Sequence, residues 1–187
     1  MSASAPWAAA AFAALLLWPQ FSFAATAHPS FVCTGTLNPT EAAICADESL
    51  AALDRAVATA YRNKFDGLPV ESADALDQVV KSLVITQKAW LAHRNSCGAD
   101  HTCIYKAYRT RQAALNAGDD AKDVPCRDTV GAEQAAVYVK DCIAVSSETH
   151  SPCNADNSCE LIISHNVFRC AGLGDGAPKF CGAYTKP

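Results

Sequence analysis

Ten cysteines are the residues of this chain with the most evident chemistry, because thiols form disulfides, bind zinc or take part in redox reactions. Two segments share the pattern C-x-A-D-x-[ST]-C, one from Cys97 to Cys103 and the other from Cys153 to Cys159. Their C-x5-C spacing is wider than that of zinc knuckles, and the chain has no C-x-x-C redox motif. An even number of cysteines in an exported chain predicts disulfides, and we expect all ten to be paired. The ten are Cys33, Cys45, Cys97, Cys103, Cys126, Cys142, Cys153, Cys159, Cys170 and Cys181.

The pairing of these cysteines is predicted from helix geometry and loop length. Cys159 and Cys170 lie on one predicted helix, where eleven residues separate their Cα atoms by roughly 16 Å, beyond the ~7 Å limit for a disulfide. Short closed loops favour local pairing. A sequential scheme is therefore our hypothesis among the many connectivities that ten cysteines allow. It joins Cys33 to Cys45, Cys97 to Cys103, Cys126 to Cys142, Cys153 to Cys159 and Cys170 to Cys181.

The first 27 residues predict export from the cytoplasm. They contain no charged side chain, and the 12 residues from Trp7 to Trp18 form an apolar run. A run of this length is typical of a signal peptide and is shorter than the ~20 residues that span a membrane. Small residues predict cleavage after Ala24 or Ala27, with an uncleaved N-terminal anchor as the alternative. We therefore expect a periplasmic or secreted protein with no membrane association after cleavage.

The N-terminal half of the chain shows the spacing of amphipathic helices. Apolar residues recur at intervals of three and four over 50–65, and further stripes run over 76–97 and 104–115. Gly98 is placed to end the second of these helices, and Asp100 to cap the third. Strand-like alternation is not sustained anywhere, so the sequence predicts a mainly α fold. The expected architecture is a small disulfide-stapled helical hairpin or bundle followed by a second cysteine-rich helical segment.

The C-terminal part begins after a polar stretch rich in Gly, Asp and Pro, which predicts a linker. Apolar residues over 135–143 indicate one helix beyond it. Asn157 and Glu160 form a capping-box pattern that indicates the start of another. The predicted domains are a signal peptide at 1–27, a helical domain at 28–118, a linker at 119–125 and a cysteine-rich helical domain at 126–187.

The charge of the chain bears on its partners. The formal net charge is −4, and the excess of acids lies entirely in 119–187, because 28–118 holds equal numbers of acids and bases. An acidic surface argues against nucleic acid and anionic membranes as partners, and favours a basic protein.

Catalytic motifs are missing from the sequence. Neither H-E-x-x-H nor G-x-S-x-G occurs, and five disulfides would leave no free thiol as a nucleophile. The glycine-rich stretch at 172–176 follows no predicted strand and precedes no Walker lysine. We therefore expect a protein that is not an enzyme and has no catalytic, cofactor-binding or metal-binding residues.

Four cysteines and several polar and aromatic residues stand together in a pattern that reaches from residue 31 to about 117. The matching segments are 31–33, 41–47, 50–54 and 87–97, with Tyr61, Cys103, Tyr108 and Arg111. This pattern resembles the LprI-type lysozyme inhibitor domain, a family of exported, disulfide-bonded helical domains. Asn95 departs from it, since the family often has Asp there, and 126–187 lie outside the resemblance.

The resemblance implies an inhibitor of lysozyme that acts by occluding the enzyme's cleft, with lysozyme or another basic envelope protein as partner. The alternative is a non-enzymatic envelope module that binds a different protein. Two groups of residues are candidates for a site. Asp54 and Arg94, each beside an apolar stripe, predict a partly buried structural ion pair. Glu148 and His150 lie in a polar loop held by Cys153 and are the candidates for partner contact.

Overall fold

The computed structural model of the protein describes residues 28–68, 72–117, 124–146 and 152–186. Within these ranges the chain is α-helical, with two short 3-10 turns and no strand, which confirms the predicted mainly α class. None of the helices in the described ranges combines the length and the apolar character that a membrane span needs. The predicted signal peptide and residues 119–123 of the predicted linker lie outside the described residues. The helices are α1 (Pro39–Ala46), α2 (Glu48–Asp66), α3 (Ala73–Asn95), α4 (His101–Asn116), α5 (Cys126–Val130), α6 (Ala132–Val145), α7 (Cys159–Gly172) and α8 (Gly182–Thr185).

Side-chain caps determine where the first helices begin. Asn38 and Glu41 exchange hydrogen bonds of 3.0 Å between their side chains and backbone N–H groups, which forms a capping box at α1. Asp47 and Asp100 cap α2 and α4 by accepting hydrogen bonds from backbone N–H groups three residues on. The predicted cap at Asp100 is confirmed. These caps place the α1–α2 and α3–α4 turns.

The capping box predicted at Asn157 and Glu160 is wrong. Ser158 caps α7 instead, and its hydroxyl accepts a hydrogen bond of 3.3 Å from the backbone N–H three residues on. The Asn157 amide donates to the carbonyl of Pro152 at 2.9 Å, and the Glu160 carboxylate binds Arg111. Both side chains of the predicted box are held by contacts that the local pattern does not reveal.

Two clusters of buried side chains form the core, and α3 contributes to both. Leu83 of α3 packs among α1, α2 and α4, whereas Ile85, two residues further on, packs among α5, α6, α7 and α8. Helix α3 therefore packs against both the N-terminal and the C-terminal helices and contributes side chains to both clusters. Large residues of the first cluster are Ile44, Leu50, Val57, Trp90, Ile104, Tyr108 and Leu115. Those of the second are Val130, Tyr138, Ile162, Ile163, Val167 and Tyr184.

Five disulfides crosslink these helices. The bonds Cys33–Cys45, Cys97–Cys103 and Cys170–Cys181 form as the sequential scheme predicts.

The other two bonds of the scheme, Cys126–Cys142 and Cys153–Cys159, are wrong. The structure joins Cys126 to Cys159 and Cys142 to Cys153. Cys126 opens α5, where its backbone N–H donates to the carbonyl of Asn157, just before α7, at 2.8 Å, whereas Cys142 lies ten residues along α6. Packing of α7 against α5 brings the Cα atoms of Cys126 and Cys159 to 4.4 Å. Helix packing therefore overrides the preference for short loops.

Gly131 joins α5 to α6 in a conformation that other residues rarely adopt. Its φ of 86° and ψ of 153° fall in a region used almost only by glycine. A Cβ at this position would also meet Nδ1 of His93 at 3.1 Å. We expect Gly131→Ala to lower the free energy of unfolding by about 1–3 kcal/mol, measured by urea denaturation.

Gly182→Ala is the matched control. Gly182 has helical angles, φ −55° and ψ −31°, and nothing lies within 4 Å of an added Cβ. This substitution is expected to raise the free energy of unfolding by about 0.4–1 kcal/mol, because alanine lowers the conformational entropy of the unfolded chain. Equal effects of the two substitutions would show that Gly131 is not required for the α5–α6 corner.

Candidate functional site

Asp54 of α2, Arg94 of α3 and Tyr108 of α4 form a buried polar network. The Tyr108 hydroxyl donates to Oδ1 of Asp54 at 2.7 Å and accepts from Nη1 of Arg94 at 3.0 Å. Nη1 of Arg94 lies 3.7 Å from the same Asp54 oxygen. All three residues are at most 5% exposed. The structure thus brings the predicted pair together and adds Tyr108, which sequence reasoning missed because its position on the α4 stripe marked it only as core.

The rest of the Arg94 side chain is also satisfied. Nε and Nη2 donate to Oδ1 of Asn95 at 3.1 and 2.8 Å. The guanidinium lies over the rings of Trp90 and Tyr108, with its central carbon 5.5 and 5.8 Å from their centroids. Burial raises the pKa of the Tyr108 phenol, so it stays protonated and donates its hydrogen bond at neutral pH. This network fixes α2, α3 and α4 relative to one another and is a structural element.

Two disulfides lie at one end of this helical unit. Cys33–Cys45 ties the N-terminal segment to α1, and Cys97–Cys103 crosses the α3–α4 turn. The Thr40 hydroxyl lies within hydrogen-bonding distance of the carbonyls of Asn95 (3.1 Å) and Gly98 (2.7 Å), which holds α1 against that turn. We call this region the stapled end. It comprises Val32, Cys33, Cys45, Asp47, Glu48, Cys97, Asp100, His101 and Tyr105.

The N-terminal segment beside the stapled end is held by the buried network. The backbone N–H of Ser30 donates to Oδ2 of Asp54 at 2.6 Å, and Nη1 of Arg55 donates to the carbonyl of His28 at 2.6 Å. These bonds and the Cys33–Cys45 disulfide fix the segment that carries Val32, whose side chain is 73% exposed. The exposed apolar side chain is therefore presented by an ordered backbone.

The surface of the stapled end combines aromatic, apolar and acidic groups. The rings of His101 and Tyr105 stack with centroids 6.5 Å apart, and both residues are exposed. Nε2 of His101 lies 3.3 Å from Oδ2 of Asp47. Hydrogen bonds from the Ser49 hydroxyl and then from the Leu50 N–H lower the pKa of Asp47 and keep it ionised.

This combination suits contact with another protein. Glu48 and Asp100 add two exposed carboxylates to the stapled end. Exposed aromatic residues in a rigid setting are the usual anchors of protein interfaces, since little conformational entropy is lost when they are buried.

Arg111 of α4 is a second buried charge. The sequence analysis noted its position in the pattern but did not predict its polar contacts. It is completely buried, its Nε donates to Oε1 of Gln87 at 3.0 Å, and its Nη1 donates to Oε1 of Glu160 at 3.0 Å. Glu160 belongs to α7, so this ion pair joins the N-terminal helices to the C-terminal ones. That 119–125 is a linker between two separately folding domains stays a prediction.

The remaining predicted residues are placed as follows. Glu148 and His150 lie outside the described residues, so their role as partner contacts stays a prediction. Among described residues, Cys142, Cys153 and His165 bring metal-binding atoms within 4.8 Å of one another. Cys142 and Cys153 form a disulfide, so neither offers the thiolate that a metal would need.

A helical body held by five disulfides, with an exposed aromatic and acidic end, defines a small disulfide-crosslinked binding protein. The family model described as "Lysozyme inhibitor LprI" matches residues 33–144, which is more than half of the chain. The chain therefore belongs to the LprI lysozyme inhibitor family, a family of inhibitors and not of catalysts. The match continues past residue 117, where the sequence resemblance ended, and includes α5 and nearly all of α6. No curated protein and no solved structure gives a significant match.

Proposed function

We propose that this protein is an exported inhibitor of lysozyme that blocks the enzyme's cleft, and that the stapled end is the surface that binds. The observation that carries the proposal is the match of residues 33–144 to the lysozyme inhibitor family. The stapled end lies within that range except for Val32, which immediately precedes it. We expect a function shared by the family to depend mainly on residues inside the matched range, which favours this surface over those built by α7 and α8.

The physical properties of the stapled end support the same assignment. Its exposed charged residues are mainly acidic, and lysozymes are often strongly basic, so opposite charges would steer the two proteins together. Its two disulfides restrain the backbone before binding, which reduces the entropy lost in the complex. Tyr105 supplies an exposed aromatic anchor. Five disulfides also fit an oxidising compartment, in agreement with export.

The direct test is an assay of lysozyme on bacterial cell walls with the purified mature protein. We expect inhibition at micromolar concentration that weakens as salt rises from about 50 to about 500 mM, because screening shortens the range of charge attraction. Full lysozyme activity at every salt concentration would refute the proposal.

Tyr105→Ala tests the surface. Tyr105 is 46% exposed, and loss of an aromatic anchor is expected to weaken inhibition by about ten-fold or more. Phe168→Ala is the matched control, because Phe168 is an exposed aromatic residue of α7 and lies outside the family match. Inhibition that depends on Phe168 and not on Tyr105 would move the binding surface away from the stapled end.

The loop that carries Glu148 and His150 is the second candidate contact, predicted from sequence alone. Glu148→Ala and His150→Ala, measured in the same assay beside Tyr105→Ala, separate the two surfaces. Loss of inhibition in the loop variants alone would assign the contact to the loop.

A further inference from the structure

A pocket of about 500 Å³ lies between the N-terminal segment, α2 and α3. Every polar residue that the structure describes in its lining can donate a hydrogen bond, and none of these described residues is a carboxylate. The polar lining residues are Ser30, Arg55, Thr59, Tyr61, Arg62 and Gln87.

The two lining arginines are unneutralised. Among the described residues neither Arg55 nor Arg62 forms an ion pair, although the chain as a whole carries a net charge of −4. Arg55 donates through Nη1 to the backbone carbonyl of His28, which leaves its charge uncompensated. Asp54, next to Arg55 in sequence, bonds to Ser30 N–H and to the buried network instead. Two exposed arginine side chains therefore line one pocket without an ion-pair partner in the described part of the chain.

A third guanidinium lies behind the lining. Nε of Arg111 donates to Oε1 of Gln87. The side-chain NH2 group of Gln87 therefore remains as a hydrogen-bond donor for the pocket. Nη2 of Arg111 is buried and has no hydrogen-bond partner in the described part of the chain. Burial raises the pKa of the Tyr61 phenol, and the Arg111 guanidinium offsets part of that rise. The phenol is thus a hydrogen-bond donor at neutral pH, close to the Arg111 guanidinium, which also pairs with Glu160.

We propose that this pocket binds a phosphate group. Donors converge on it from three separate segments of the chain, an arrangement that matches the several oxygens of a tetrahedral anion better than the two coplanar oxygens of a carboxylate. Arginine guanidinium groups bind phosphate oxygens through paired, charge-assisted hydrogen bonds. The phosphate belongs either to a free anion or to a lipid headgroup, because both present the same chemistry to the pocket.

The test is titration of the purified mature protein with inorganic phosphate, followed by NMR chemical shifts. We expect saturable shifts of residues that line the pocket, and about ten-fold weaker binding for Arg62→Gln and for Arg55→Gln. Arg109→Gln is the matched control, since Arg109 is an exposed arginine of α4 outside the pocket, and it should bind as the unchanged protein does. Circular dichroism of each variant checks that the fold is retained.

A parallel arm uses vesicles of phosphatidylcholine with and without phosphatidic acid. Binding to free phosphate, or arginine-dependent binding to phosphatidic acid vesicles alone, supports the proposal and identifies the source of the phosphate group. Binding of acetate as tight as that of phosphate, an equal loss in Arg109→Gln, or no binding in either arm overturns it. Lysozyme is absent from these measurements, so the outcome is independent of the proposed inhibitory function.

Discussion

Asp54→Ala is expected to lower the free energy of unfolding by about 3–5 kcal/mol. The substitution removes the acceptor of the Tyr108 hydroxyl and the only carboxylate that the structure places within 4 Å of Arg94 in the described part of the chain. Arg94 is 4% exposed, so its charge would stay buried without a counterion. The substitution would also remove the acceptor of the Ser30 N–H and so loosen the N-terminal segment. Urea denaturation followed by circular dichroism measures the change.

Asp77→Ala is the control for this prediction. Asp77 pairs with Lys81 at 2.7 Å on the surface of α3, and its side chain is 58% exposed. Exposed pairs one helical turn apart contribute about 0.3–0.5 kcal/mol, so the effect should be several times smaller. If the two substitutions destabilise the protein equally, the buried network does not determine the packing of α2, α3 and α4.

Removal of the Cys126–Cys159 disulfide is the second large expected effect. Its cysteines are 33 positions apart, whereas those of Cys97–Cys103 are 6 positions apart. A crosslink that closes a longer loop restricts the unfolded chain more, which predicts losses of about 3.5–4 kcal/mol for the long loop and about 2 kcal/mol for the short one. The double variants Cys126→Ala/Cys159→Ala and Cys97→Ala/Cys103→Ala, compared by denaturation, measure the difference.

The variant that lacks Cys126 and Cys159 also tests the disulfide connectivity. With Cys126 and Cys159 replaced, non-reducing peptide mapping should still find Cys142 joined to Cys153. Under the sequential scheme this variant would instead leave Cys142 and Cys153 as free thiols before any rearrangement. Detection of two such thiols in the folded protein would contradict the connectivity seen in the structure.

The helices of the N-terminal half were predictable because their signals are local. Apolar residues three and four apart place Leu50 and Val57 on the buried face of α2, and the Asp100 cap depends on a backbone N–H only three residues away. The capping box at Asn157 and Glu160 has the same local form and is wrong, since the Asn157 amide binds the carbonyl of Pro152 five residues earlier and the Glu160 carboxylate binds Arg111 of α4. Local patterns succeed where no tertiary contact competes for the same side chain.

The candidate site was predictable only in part. The cysteines and the Asp54–Arg94 pair were predicted because buried charges and thiols are conspicuous in an apolar stripe. The stapled end was not, because it requires α1 to lie against the α3–α4 turn through Thr40, a contact between residues more than fifty positions apart.

By itself the sequence determined a helical chain with ten cysteines suited to disulfides, together with membership of a family of lysozyme inhibitors. Only the tertiary structure decided that Cys126 bonds to Cys159, that Tyr108 links Asp54 to Arg94, and that Arg111 meets Glu160 across the two halves. The physical reason is the range of the interactions. Hydrophobic periodicity and caps act over a few residues, whereas disulfides and buried ion pairs form between groups that are adjacent only once the helices have packed.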